Sequence, residues 1–191
     1  MICKAGFVWD ANQHFTRFLE ECGITCELIT PHMLAAPFFR SSFSCLIIPT
    51  GFGNPLYSNL LPALRASASR IKKFVENGGN VLVFGAADSK PDAYDWLPFP
   101  VIYSHDYHQR SVSIAPSCKA STLIEDYDSS CIECDGTFPK YSGTMAGNTN
   151  ADAVILEQTI GKGCIIVTSI HEYPSRSFIR SFCCSGTQTL F

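Results

Sequence analysis

The 191-residue sequence predicts an α/β fold: a three-layer α/β/α sandwich on a mainly parallel sheet, with an antiparallel hairpin near the carboxyl end. Three observations carry this. Short continuous apolar runs, as expected of strands covered on both faces, alternate with segments of helical periodicity. Glycines stand where those helices should stop. Two strand-like runs late in the chain flank a glycine-containing turn. The length suits one domain over residues 1–191.

The elements follow in order. Ile2 to Trp9 reads as a buried strand. Phe15, Phe18, Leu19 and Cys22 then repeat at helical spacing before Gly23. Cys26 to Ile29 and Cys45 to Pro49 are the second and third strands, the latter running into the turn Thr50-Gly51-Phe52-Gly53-Asn54-Pro55. Leu60, Leu64, Ala68, Ile71 and Val75 line one face of a long helix, with Pro62 in its first turn and Gly78-Gly79 at its end. Val81 to Phe84 is the fourth strand. Residues 92 to 130 are rich in Pro, Ser, Tyr and Asp, and predict an irregular excursion with short strands at Phe99 to Tyr103 and Val112 to Ile114. Ala153 to Glu157 and Cys164 to Ile170 form the hairpin around Ile160-Gly161-Lys162-Gly163. Pro174 is positioned to open a final helix carrying Phe178, Ile179 and Phe182.

Composition excludes several function classes. Apolar residues make up 46% and charged residues 16%, too apolar for a disordered chain. A formal charge of −3, with no basic run longer than Lys72-Lys73, gives no footprint for nucleic acid and no basic face for a membrane. No apolar run approaches the roughly 20 residues that span a bilayer. Met1 to Trp9 has no small-residue cleavage site and reads as a strand instead of a signal peptide, so a cytoplasmic location is expected.

Ten cysteines in so apolar a chain are expected to be mostly buried and reduced; Cys3, Cys26, Cys45 and Cys164 lie in or beside strand-like runs. Cys183-Cys184 is an adjacent pair open to oxidation but too strained to bridge itself. Cys131-Ile-Glu-Cys134 and His105-Asp-Tyr-His108 supply a set from which a His2Cys2 zinc site can be written, but on a strand the two cysteines face opposite ways, so no metal and no cofactor is expected.

Three segments together resemble the class I glutamine amidotransferase-like superfamily, nearest to its biotin-protein-ligase N-terminal-like and ThuA-like small domains. They are Leu46-Ile-Ile-Pro-Thr-Gly-Phe-Gly53, Phe74-Val-Glu-Asn-Gly-Gly-Asn-Val-Leu-Val-Phe-Gly-Ala86, and Gly161-Lys-Gly-Cys-Ile-Ile-Val-Thr-Ser-Ile-His-Glu172. The resemblance implies a flavodoxin-like sheet. It also implies a nucleophilic cysteine on a tight elbow after the Gly-Gly turn, an oxyanion site on the glycine-rich loop, and a His-x-Glu pair after the last strand. Gly85 falls in the nucleophile's place, and a shift of one or two positions finds only Phe84, Ala86, Ala87 or Asp88. His171 matches the family's base, but Glu172 is adjacent to it instead of two residues on.

The favoured expectation is therefore a non-amidase, a domain that binds an unknown small molecule or is regulatory, its pocket between Thr50, Gly51, Phe52, Gly53 and Asn54 on one side and Gly85, Ala86, Ala87, Asp88 and His171 on the other. The alternatives are a hydrolase using His171 with Asp88 or Glu172, or a metal held by His105 and His108, and a module that homodimerises through Tyr94, Trp96, Phe99, Tyr103 and Tyr107. The same aromatic stretch could equally be a lid over the pocket.

Overall fold

A computed structural model describes residues 3–150 and 152–191. The elements run β1 (Lys4–Val8), α1 (His14–Glu21), β2 (Thr25–Ile29), α2 (Pro31–Ala35), β3 (Ser42–Phe43), β4 (Cys45–Ile48), α3 (Leu60–Glu76), β5 (Asn80–Val83), β6 (Val101–Arg110), β7 (Ser113–Ile114), β8 (Ile132–Tyr141), β9 (Thr144–Thr149), β10 (Asp152–Ile160), β11 (Gly163–Thr168), α4 (Arg176–Ser185) and β12 (Thr189–Leu190). The expected first strand is present from Lys4; its predicted start at Ile2 lies outside the described residues.

The main sheet has the order β2-β1-β4-β5-β11-β10-β8-β6, with β9 pairing on β10 and β7 on β9. Its first five strands are parallel, and they reproduce the flavodoxin-like order. Every residue of β4, β5 and β11 is buried, which requires cover on both faces. Helix α3 packs on β5, β11 and β10, and α4 on β1, β4 and β5. The hairpin β10–β11 is antiparallel as expected, closing at Gly161 with φ +58°. A Cβ there would stand 2.5 Å from the Glu76 carbonyl, so the turn is pressed onto the end of α3.

Three expectations are corrected. The excursion has strands where they were expected, but the first is longer: β6 runs on to Arg110 and pairs antiparallel with β8, which follows the excursion, while β9 extends the sheet beyond β10. Alternation is masked in β6 because six consecutive residues, Ser104 to Gln109, are exposed. The final helix is capped by Ser175, whose hydroxyl accepts from the Phe178 amide; Pro174 lies one residue outside. Cys3 is not a free thiol: it is bonded to Cys184 on α4, with Cα atoms 5.2 Å apart, so one bond joins segments 181 residues apart in sequence. Helix α4 brings them together by packing on β1, a contact invisible in sequence. The other eight cysteines are free, and Cys131 alone among them is exposed.

The aromatic stretch is core. Tyr94, Trp96, Phe99 and Tyr103 are buried, Tyr94 and Trp96 packing edge-on against Phe52 at 5.2 and 6.0 Å. It therefore forms neither a lid nor an exposed dimer face; only Tyr107 reaches solvent.

Candidate functional site

A cleft of about 710 Å³ opens at the carboxyl ends of the parallel strands, where open α/β sheets hold ligands. Four of the five parallel strands deliver a wall residue: Trp9 follows β1, Thr50, Gly51 and Asn54 follow β4, Ala87 follows β5, and His171 follows β11. The antiparallel extension adds His105 and Tyr107 from β6 and Asp135 from β8.

The loops after β4 and β5 are stitched together along consecutive carbonyls. Phe84 O accepts from the Tyr94 hydroxyl (2.9 Å), Gly85 O from the Gly51 amide (2.8 Å), Ala86 O from the Gly53 amide (3.1 Å) and Ala87 O from the Asn54 side-chain amide (3.1 Å). The amides of Gly51 and Gly53 are thereby spent on the neighbouring loop. A site for an oxyanion needs unspent donors aimed into the cleft, so these two cannot serve as one while the loop keeps this form.

The strained residue of the β5 turn is Ala87. Its φ of +50° is a left-handed conformation that side-chain-bearing residues adopt at a cost of about 1–2 kcal/mol. A nucleophile elbow has this kind of strained backbone. Ala87, two residues beyond Gly85, has such a backbone. It carries a methyl group.

Gly85 has a different role. A Cβ at this position would lie 2.5 Å from Oδ2, 2.8 Å from Cβ and 3.0 Å from Cγ of Asp135. The missing side chain is the space into which the Asp135 carboxyl fits.

Asp135 is the partner of His171, with Oδ1 3.2 Å from Nδ1. Its side chain is only 5% exposed, and Oδ2 has no hydrogen-bond partner among the described residues. Burial raises the Asp135 carboxyl above the usual carboxylate range, and the neighbouring His171 opposes this. The strand is anchored where it passes β11: the Asp135 amide donates to Ser169 O at 2.7 Å and the His171 amide to Glu133 O at 2.8 Å. The Tyr103 hydroxyl donates to Asp135 O at 2.9 Å and lies 3.2 Å from His105 Nδ1. Tyr107 stands edge-on to the His171 ring at 5.6 Å, and its hydroxyl donates to Glu133. That bond pushes the Tyr107 phenol up to about 12.

The remaining predicted site residues are dispersed. Glu172 does not orient His171; its Oε1 accepts from the Glu133 amide at 2.7 Å, because adjacent residues on extended chain face opposite ways. Asp88 closes a local turn, accepting from the Lys90 amide at 2.9 Å, and is not paired with His171. Phe52 is fully buried. Gly53 and Ala86 are buried behind the wall that Thr50, Gly51, Asn54 and Ala87 present. His108 pairs with Asp106 at 2.8 Å while His105 faces the cleft, Cys134 is buried and Cys131 exposed. Among the described residues no group of three or more His, Cys, Asp or Glu converges as a metal site. Sequence reasoning missed Asp135, which no local pattern marks: it stands two residues from a second acid, Glu133, in the mixed stretch Ile132 to Phe138.

No protein-family model and no curated protein matches the sequence. Solved structures do. The chain is similar to a Thermoplasma acidophilum protein provisionally named for a GMP synthase subunit (14% identity, TM-score 0.64, covering 97% of this chain and 94% of that one). It is also similar to a protein of Salmonella typhimurium named as cytoplasmic (10%, TM-score 0.54, 98% and 100%) and to a β-galactosidase from Bacillus circulans, of which it spans 30% (11%, TM-score 0.58, 95% of this chain). Among the described residues no helix is long and apolar enough to cross a membrane. At these identities the likeness establishes architecture alone: the chain shares a flavodoxin-like α/β fold with these proteins over nearly its whole length.

Proposed function

We propose that this domain binds a small polar molecule in the cleft and does not hydrolyse glutamine. The observation that carries the reading is Ala87. At the strained turn where thiol chemistry on this fold needs a nucleophile there is a methyl group, and the Gly51 and Gly53 amides are already bonded to Gly85 and Ala86. What the cleft offers instead is a recognition surface: the rings of Trp9, Tyr57 and Tyr107 around the polar groups of Thr50, His105, Asp135 and His171. With no Lys or Arg in that lining, the surface suits a neutral or cationic ligand with hydroxyl or amino groups better than an anion. Ammonia release from glutamine and covalent labelling by a thiol-directed glutamine analogue are the tests. Neither should exceed the level of an Ala87→Gly variant, and labelling of any cysteine that depends on glutamine would sink the proposal.

A second reading rests on the orphaned Oδ2 of Asp135 beside His171. Asp135 holding Nδ1 leaves Nε2 of His171 as the atom that can take a proton from water or a ligand hydroxyl, which is the work of a general base. In this hydrolase reading Asp135 replaces Asp88 and Glu172 as the carboxylate. A hydrolytic activity found by substrate screening and lost in both Asp135→Asn and His171→Gln would establish it. Activity retained in either variant would remove it. A cytoplasmic location and self-association through a face other than the buried aromatic stretch belong to the same proposal, and sedimentation across concentrations tests the latter.

A further inference from the structure

A second cavity, of about 350 Å³, lies away from the cleft, between the carboxyl half of α3, the segment after α2, and β12. Its floor is aromatic. Phe74 and Phe191 are buried and meet edge-on at 5.9 Å, and Leu190 stands beside them, 59% exposed. Its charged lining is entirely cationic: Arg40, Arg70 and Lys73, with Pro37 and Asn77 the remaining wall residues.

Part of this is structural. Arg70 donates to Leu34 O and Ala36 O, both at 3.0 Å, which satisfies carbonyls at the end of α2, and its guanidinium lies 4.5 Å over the Phe191 ring. Lys73 sits in the last turn of α3, favoured there by the helix dipole. A second guanidinium, that of Arg40, joins the first and also donates to Pro37 O at 2.9 Å. Arg40 and Arg70 both donate to one acceptor, Phe39 O, each at 3.0 Å. Two positive charges are thus held together over an apolar floor, and burial together with Arg40 makes the charge of Arg70 harder to keep. Among the described residues none of the three cations has a carboxylate within salt-bridge distance, although Lys72 next to them pairs with Glu76. In a chain of net charge −3 such a trio is a local positive patch beside a half-buried guanidinium.

We propose that this cavity binds a small amphipathic carboxylate, its apolar chain or ring on Phe74, Phe191 and Leu190 and its carboxylate between Arg40 and Lys73. Guanidinium donors left over from the carbonyl bonds match a carboxylate or phosphate equally well. The aromatic floor is what selects an anion bearing an apolar group over a bare inorganic one. The volume, at the low end for ligand pockets, limits the ligand to the size of a medium-chain acid.

The test is calorimetric titration with octanoate, octanol and inorganic phosphate, with methyl and ring resonances followed by NMR. Octanoate should bind saturably at one site per chain, moving Leu190, Phe191 and Phe74 signals. Octanol and phosphate should each bind at least tenfold more weakly. Arg40→Gln with Lys73→Gln, both exposed and neither capping α2, should weaken octanoate at least tenfold at unchanged melting temperature. Octanol or phosphate binding as well as octanoate, unaltered affinity in the double variant, or no saturation up to millimolar octanoate would each overturn the proposal. So would shifts confined to Tyr107 and His171, which would place the ligand in the cleft; failure here leaves the reading of the cleft untouched.

Discussion

Replacing Gly85 by alanine tests the central geometric claim, that this glycine exists to admit Asp135. The added Cβ would lie 2.5 Å from Oδ2 and 2.8 Å from Cβ of the aspartate, and ordinary contact begins near 3.4 Å. Oδ2 must retreat by about 0.9 Å, and the Asp135 Cβ, fixed to β8, allows no escape by side-chain rotation alone. Overpacking of this kind costs about 1–3 kcal/mol. Displacing the carboxyl also breaks its 3.2 Å bond to His171, for about 0.5–1.5 kcal/mol more. For a chain of this size the sum corresponds to a fall in Tm on the order of 5–15 °C. Urea unfolding reads it directly, because Trp9 lines the cleft and Trp96 lies in the core, so one fluorescence signal covers both regions. The same glycine change made in an Asp135→Ala background meets only the Cβ contact and should cost less, by about 1 kcal/mol or more. An equal penalty in both backgrounds, or a Gly85→Ala protein as stable as the parent, would refute the reasoning.

Three further outcomes are expected. Asp135 has its folded-state affinity for a proton raised by burial, so its contribution to stability is fully present below the unfolded carboxyl pKa of about 3.9 and is lost as pH rises through the higher folded value. Asp135→Asn should therefore match the parent in acid and gain on it as the solution approaches neutrality; a difference that does not vary between pH 3 and 7 contradicts the burial argument. Thiol titration of the unfolded, unreduced protein should find eight groups of the ten cysteines, and Cys184→Ser should lower stability by up to about 5 kcal/mol, the loop-entropy value for a bridge spanning 181 residues. Ten titratable thiols would exclude the Cys3–Cys184 bond. In the folded protein an alkylating reagent should modify Cys131 first, since burial pushes the Cys26, Cys134 and Cys164 thiols up to about 12; rapid modification at Cys164, which mass mapping would reveal, runs against that ordering.

The parallel half of the fold was legible because its physics is local. A strand buried on both faces must be apolar throughout, as in Cys45 to Ile48, and a helix laid across it must show the spacing seen from Leu60 to Val75. The excursion was legible only in the starts of its strands, for the opposite reason. Strand β6 exposes six residues in a row, so no alternation marks it, and its partner β8 lies more than twenty residues away. The site inherits that division. Thr50, Gly51, Asn54, Ala87 and His171 come from strand ends that pattern alone locates, whereas Asp135, His105 and Tyr107 arrive on the antiparallel extension.

The sequence by itself determined an α/β sandwich, a glycine-rich loop beside a thiol-free turn, and a histidine after the last parallel strand, because backbone propensity, periodicity and the bare absence of cysteine from residues 84 to 88 are properties of short segments. Only the tertiary structure decided that Ala87 bears the strain, that Gly51 and Gly53 spend their amides on the facing loop, and that Asp135 instead of Glu172 or Asp88 holds His171. Each of those depends on chain crossings between segments distant in sequence, where a carboxyl can enter the space that a missing side chain leaves, and no local pattern encodes which segment will arrive.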